Sequence, residues 1–283
     1  MLRLAFATGG PCPVSREGRV VQAWSTETGE VYATAYAATD RRWIEWPGLA
    51  TFAFAPGSPE VTVWPAAGAV TDEIAATFFR VLQPVVLQAL GWQALHASAV
   101  AIDGRVVALC GRSGSGKSTL AFALGRDWQQ WSDDALVVDR GADREIVAVR
   151  LPFAPRLRPA ARTHFPEWTV GAGALYDATP LPLGAVVVLE QSARQADPVR
   201  ARRVSPSEAF QLLITHAHCF DHADPADARR LIDDYLAIAD AVPVHALAYR
   251  PGLDRLAQLK RAVLDLAPPR HRLESDRTIC AGG

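Results

Sequence analysis

The stretch Gly111-Arg112-Ser113-Gly114-Ser115-Gly116-Lys117-Ser118 constrains this chain more than anything else in it, because it fits G-x-x-x-x-G-K-[ST] at every defined position. An apolar run, 106–110, leads into it and a helix-forming stretch from Lys117 to about Asp127 leads out. Glycines let the backbone wind so that successive N–H groups turn toward phosphate oxygens. The helix that follows offers its own unpaired N–H groups and positive dipole end to the same anion. Strand, loop and helix stand in the required order, so a chance match in a Gly/Ser-rich loop is the weaker reading. Lys117 is expected to reach the β- and γ-phosphates, Ser118 to ligate magnesium and Thr119 to add a phosphate contact. Lys117 and Lys260 are the only lysines in a chain rich in arginine. The expected ligands are therefore ATP and Mg2+, with GTP left open. The loop does not fix the fate of the γ-phosphate, since the same cradle serves kinases, motors, transporter ATPases and switches.

The chain has 283 residues, enough for one large domain or two small ones with a core that needs no staples. Residues 19–64 read as short strands separated by turn signals such as Thr28-Gly29, Pro47-Gly48 and Pro56-Gly57. Thr71 is placed to cap a helix running to Gly91, which Pro84 would kink or divide. From 97 the texture changes. Runs at 97–102 and 106–110 flank Asp103-Gly104, a strong hairpin signal, and apolar runs at 135–138, 147–151, 184–189 and 244–249 read as further strands. Helices are expected from Ser205 or Ser207 to His216, over 225–241 and over 253–266. The expected organisation is a small N-terminal α/β module over 1–93, an α/β nucleotide-binding domain over 94–267 and a polar tail over 268–283. The module could recognise a peptide by offering a sheet edge.

Phosphoryl transfer with magnesium needs a second metal contact and a group to orient the nucleophile. Asp133-Asp134, Asp139 and Glu190 compete for that work. Adjacent carboxylates point to opposite sides in an extended segment. In a bent one, one can hold metal while the other accepts a hydroxyl proton, and their proximity raises one pKa toward that of a general base. Asp139 reads more simply as a strand end, and Glu190 as the start of a polar loop. The histidines His216, His218 and His222 have spacing that hints at a metal, but a third ligand is not evident and a polar helix end explains them better. Arg156 and Arg158 lie in a proline-flanked loop and could bind a carboxylate, a phosphate or an acidic peptide, or stand solvated.

Net charge is −1 and pI about 6.7, so no basic field points to nucleic acid or an anionic membrane. The apolar stretch at the N-terminus is too short for a signal peptide, and no run approaches a membrane span. The scattered cysteines Cys12, Cys110, Cys219 and Cys280 form no CxxC pair and fit a reducing cytoplasm. Cys110 reads as a small buried hydrophobe.

Taken together, Leu95-His96-Ala97-Ser98-Ala99-Val100, the Asp103-Gly104 hairpin, the loop through Thr119 and Ser132-Asp133-Asp134-Ala135-Leu136-Val137-Val138 resemble the HPr serine kinase family and its relatives over residues 94–140. The resemblance implies a P-loop domain of the phosphoenolpyruvate carboxykinase-related type on a mixed sheet, and phosphorylation of a serine hydroxyl. It implies phosphate and metal contacts from Lys117 and Ser118. One of Asp133 and Asp134 would then be the base and the other a metal or orienting group, with Asp134 the metal candidate, and His96 would lie at the active site. A homo-oligomer is among the assemblies it allows. The family's E-I-R-G signature is not matched, since Arg144-Glu145-Ile146-Val147 lacks the glycine. The chain is more similar to the shorter relatives that phosphorylate ribosomal precursor peptides, including those of lasso peptides. A nucleotide-dependent switch and a small-metabolite kinase are the rival readings.

Overall fold

A computed structural model describes residues 2–8, 12, 18–141, 143–153, 157–165, 179–192 and 199–267. Arg156 and the tail 268–283 lie outside them.

The first sheet holds β1 (Arg3–Phe6), β2 (Arg19–Ser25), β3 (Val31–Ala37), β4 (Arg42–Trp46), β5 (Ala50–Phe54) and β6 (Glu60–Pro65), in the order β1-β6-β5-β4-β3-β2. All its pairs are antiparallel except β1 with β6. A helical segment closes it: α1 (Thr71–Thr77), a π-helical turn (Phe78–Leu82) and α2 (Gln83–Ala89). Thr71 is not the cap. Val70 holds that position without a side-chain bond, and Thr71 begins the helix. Pro84 divides the helix as its sequence demands. It lacks the N–H that would bond to the fourth residue back, and the ladder widens to the fifth, with the Gln83 N–H on the Phe78 carbonyl.

The second sheet is mixed. Its strands are β7 (Gln93–Leu95), β8 (Ala97–Ile102), β9 (Arg105–Gly111), β10 (Gln129–Ser132), β11 (Leu136–Arg140), β12 (Ile146–Val149), β13 (Leu181–Gln191), β14 (Arg200–Arg203) and β15 (Val244–Tyr249). The order is β10-β8-β9-β13-β12-β11-β7, with β15 also on β13 and β14 on β15. β9, β13 and β15 run parallel, while β8 is antiparallel to both β9 and β10.

Strand alternation sorts the core into layers. Ala97, Ala99, Ala101, Val186 and Val188 face α5 (Pro206–Ile214) and α6 (Pro225–Ala241), through Leu213, Leu231 and Tyr235. Val100, Ile102, Val187 and Leu189 face α3 (Lys117–Leu124) and α7 (Leu256–Leu266), through Leu120, Leu124, Leu259 and Val263, and the short α4 (Pro159–His164) packs beside α3 through Ala161 and Ala123. Both faces being covered is why these strands read as continuous apolar runs. Cys110 is fully buried among them, and burial pushes its thiol up to about 12. Among the described residues no helix is long and apolar enough to cross a membrane.

Candidate functional site

The hairpin sets the site. Asp103 and Gly104 both adopt positive φ, as a two-residue turn between twisted strands requires. The resulting register pairs Ala97 with Cys110, which brings His96 to the same end of the sheet as the start of the loop. β10 is also antiparallel to β8, so its last residue, and the aspartates after it, arrive at that end too.

A bulge then aims the first aspartate. Gln130 pairs with Val100 but Ser132 with Ala99, so Trp131 is an extra residue. One more step along both strands faces Asp133 toward Ser98, whose hydroxyl donates to its carboxylate at 2.7 Å. Re-aiming a side chain beside a site is a recurrent use of a bulge. Asp134 follows with φ +70°. That left-handed turn is one an aspartate tolerates at some cost, and it parts the two carboxylates. Asp133 is 8% exposed, whereas the Asp134 side chain is 73% exposed. The half-buried His96 donates from Nδ1 to the Asp134 carbonyl at 3.0 Å, which ties down the turn and leaves the lone pair on Nε2. Burial, helped by nearby Lys117, lowers the pKa of His96, so its ring is neutral at pH 7.

In the loop, Gly114 and Gly116 take φ of 84° and 86°. At Gly111 a Cβ would stand 2.6 Å from Ser115 Oγ and 2.9 Å from the Leu189 carbonyl oxygen, so only glycine lets the loop pack on β13. Lys117 folds back over the loop, donating from Nζ to the carbonyls of Gly111 at 2.7 Å and Arg112 at 3.3 Å. Burial lowers its pKa. Tyr249, at the end of β15, anchors the loop by donating its hydroxyl to the Ser115 carbonyl. Arg158 donates to Ser113 Oγ at 3.2 Å, which places its guanidinium against the glycine-rich loop.

One cavity of about 590 Å³ unites most of the expected residues: His96, Ser113, Gly114, Gly116, Lys117, Ser118, Thr119, Asp133, Asp134 and Arg158, joined by Leu157 and Arg162. Gly111, Arg112 and Ser115 lie toward a second cavity on the other face of the loop, with Glu190 and His216. Asp139 is not brought in. It stands about 16 Å along β11 from the Asp134 turn at 3.3 Å per residue, and its Oδ1 accepts the N–H of Arg140. His216 and His218 belong to a segment bridged to β7 through Leu95 and Ala217. Their pKa values are both pushed down to about 4, mainly by burial. A third, apolar cavity of about 220 Å³ adjoins the helix end of the loop, lined by Thr119, Tyr249, Leu253 and Leu256 among others.

Ser98, Tyr249 and Arg162 belong to no motif that marks them for the site. Strand alternation puts Ser98 on the face of His96, which is a usable signal for it. Tyr249 closes a legible strand, but nothing local says that strand lies two places from β9.

No protein-family model and no curated protein matches the chain. Among solved structures, the HPr(Ser) kinase/phosphatase from Coxiella burnetii is similar over 61% of this chain and 95% of its own, at 13% identity and a TM-score of 0.33. A likeness at that score decides neither fold nor function, which rest on the residues above.

Proposed function

We propose that this chain is a nucleoside-triphosphate-dependent kinase that phosphorylates a hydroxyl, a serine on a peptide or protein. The observation that carries it is the single cavity in which a phosphate-binding loop, with Lys117 and Ser118, faces the exposed carboxylate of Asp134. A nucleotide switch also uses such a loop with a carboxylate nearby, so the two readings part on whether a hydroxyl takes the phosphoryl group.

ATP fits as donor. The loop and the first turn of α3 hold its phosphates, and the apolar cavity at Thr119, Tyr249 and Leu256 takes its base. Lys117 exchanges its two carbonyl partners for phosphate oxygens. Magnesium fits as well: the hydroxyl of Ser118 is a hard oxygen ligand, and the phosphates and water would supply others. Among the described residues no cluster of three or more His, Cys, Asp or Glu side chains could hold a metal, so the ion would arrive with the nucleotide. It would neutralise charge on the phosphates. The acceptor oxygen bonds to the γ-phosphorus as its proton passes to a carboxylate of the Asp133-Asp134 turn. The bond from that phosphorus to the β–γ bridging oxygen breaks, and nucleoside diphosphate leaves. Asp134 is the better placed of the pair, because Asp133 is committed to Ser98. His96 holds the turn, and Arg158 offsets charge on the phosphates. A lasso-type precursor peptide is the acceptor indicated by the sequence resemblance, and rests on that resemblance alone.

Incubation with ATP labelled at the γ-phosphate and serine-containing peptides tests this. Labelled peptide is expected, lost in Lys117→Ala. Free labelled phosphate with no labelled peptide, or normal transfer by Asp134→Asn together with Asp133→Asn, would overturn it.

A further inference from the structure

A separate cavity of about 230 Å³ lies on the far side of the Asp133-Asp134 turn and shares both aspartates with the loop cavity. Its wall is mostly apolar, with Arg80 at one side, and comes from distant parts of the chain: Trp24 of β2, Phe79 and Val81 of the π-helical turn, and Leu151 and Phe153 beyond β12. The volume is below the roughly 300–1,000 Å³ of sites that hold whole small molecules, and suits one large side chain. Two residues of the lining carry buried polar atoms, Ser132 Oγ and His218 Nε2, that lack a hydrogen-bond partner among the described residues. Ser132 is only 2% exposed. Buried polar atoms left unsatisfied cost about 1–3 kcal/mol each, and a hole beside them that also reaches the exposed Asp134 carboxylate marks a place for a large side chain of a segment bound at the site.

Building on the kinase reading above, we infer that this cavity is the acceptor's recognition pocket, and that the acceptor is a peptide segment with a large apolar side chain adjacent in sequence to the phosphorylated serine. The serine hydroxyl meets Asp134 from the side opposite the nucleotide, while its neighbour is buried between the two sheets. The N-terminal module thus contributes to selection through Trp24, Phe79 and Val81, inside the molecule, rather than through a sheet edge.

The probe is a peptide set with one serine in an alanine background, in which each flanking position is occupied in turn by Phe, Leu, Gly, Asp and Lys. The readout is the ratio of kcat/KM between two peptides on one enzyme preparation, which cancels any loss of active protein. Wild type is expected to favour Phe or Leu over Gly at one flanking position by about tenfold or more, the scale on which an apolar pocket discriminates. Val81→Phe, which fills the cavity, should erase that ratio or move it toward smaller side chains. Phe153→Ala, which enlarges it, should move it the other way. Circular dichroism reports whether each variant is folded, and the opposed directions leave a usable readout if one is not. Labelled peptides without an apolar preference, or a preference that neither substitution moves, overturn the pocket and leave the kinase standing. Free phosphate with no labelled peptide overturns both.

Discussion

Asp134 shows how one backbone angle decides what a substitution measures. At φ +70° asparagine keeps the conformation with little strain, whereas alanine adds a backbone penalty of about 1–2 kcal/mol. Asp134→Asn is therefore the clean charge deletion. Phosphoryl transfer should fall by about 10²–10⁴, the range for losing a general base, with nucleotide affinity by calorimetry nearly unchanged. Asp133→Asn should act on stability instead: it weakens the buried bond from Ser98, and urea denaturation should register about 1–3 kcal/mol. The histidines near the site carry their own signature. Unfolded, His218 titrates near 6.5; folded, burial holds it at about 4. Between those values the unfolded chain takes up a proton that the folded chain refuses, so stability falls as pH drops from 6.5 toward 4 and levels off below. The loss is on the order of 3 kcal/mol from His218, with His216 acting in the same direction. Urea midpoints at pH 7 and pH 4.5 should show it, and His218→Gln should flatten the dependence.

At the scale of elements, the loop is held by its neighbours as much as by its glycines. Tyr249→Phe removes the hydroxyl that reaches the Ser115 carbonyl and leaves the ring in its packing. Such a bond is worth about 1 kcal/mol, so urea denaturation should register a loss of about that size, and nucleotide Kd should rise by at most roughly fivefold. Gly111→Ala is harsher. Its methyl would collide with the Leu189 carbonyl oxygen, which cannot move without parting β9 from β13, and a folded protein without detectable nucleotide affinity is the expected result. Elements of this kind divide in how far they are legible. The hairpin, the loop and α3 can be read because turn chemistry and apolar runs are local signals. The order of β13 and β15 beside β9 is non-local and has no such signal. β14, Arg-Ala-Arg-Arg, hides because every residue of this strand is exposed and only its partner β15 makes it a strand. The bulge at Trp131 hides too, and with it the partner of Asp133: an extra residue changes which side chains meet without changing the residues written down.

Across the whole molecule, the two sheets are joined through their cores. One apolar cluster runs from Ile44, Phe52 and Val63 of the first sheet, through Phe78 and Val86 of the helical segment, to Ala94, Val137, Leu151 and Phe220. Phe54 meets Phe220 edge-on, with centroids 5.6 Å apart. Polar links follow the same seam. Arg42 of β4 bonds Asp227 of α6 at 2.9 Å, and Arg19 of β2 pairs with Asp221. Removing residues 1–93 would uncover Val137 on β11, the strand that begins just past the Asp133-Asp134 turn, so truncation would disturb that turn along with any recognition surface. Unfolding should accordingly be a single event. Phe220 is fully buried, and Phe220→Ala should cost about 3–5 kcal/mol. If the sheets fold as one unit, far-UV circular dichroism and tryptophan fluorescence will trace the same urea transition in both proteins, displaced as a whole in the variant. If they fold separately, Phe220→Ala will instead split the curve, with one part moved and the other left where it was.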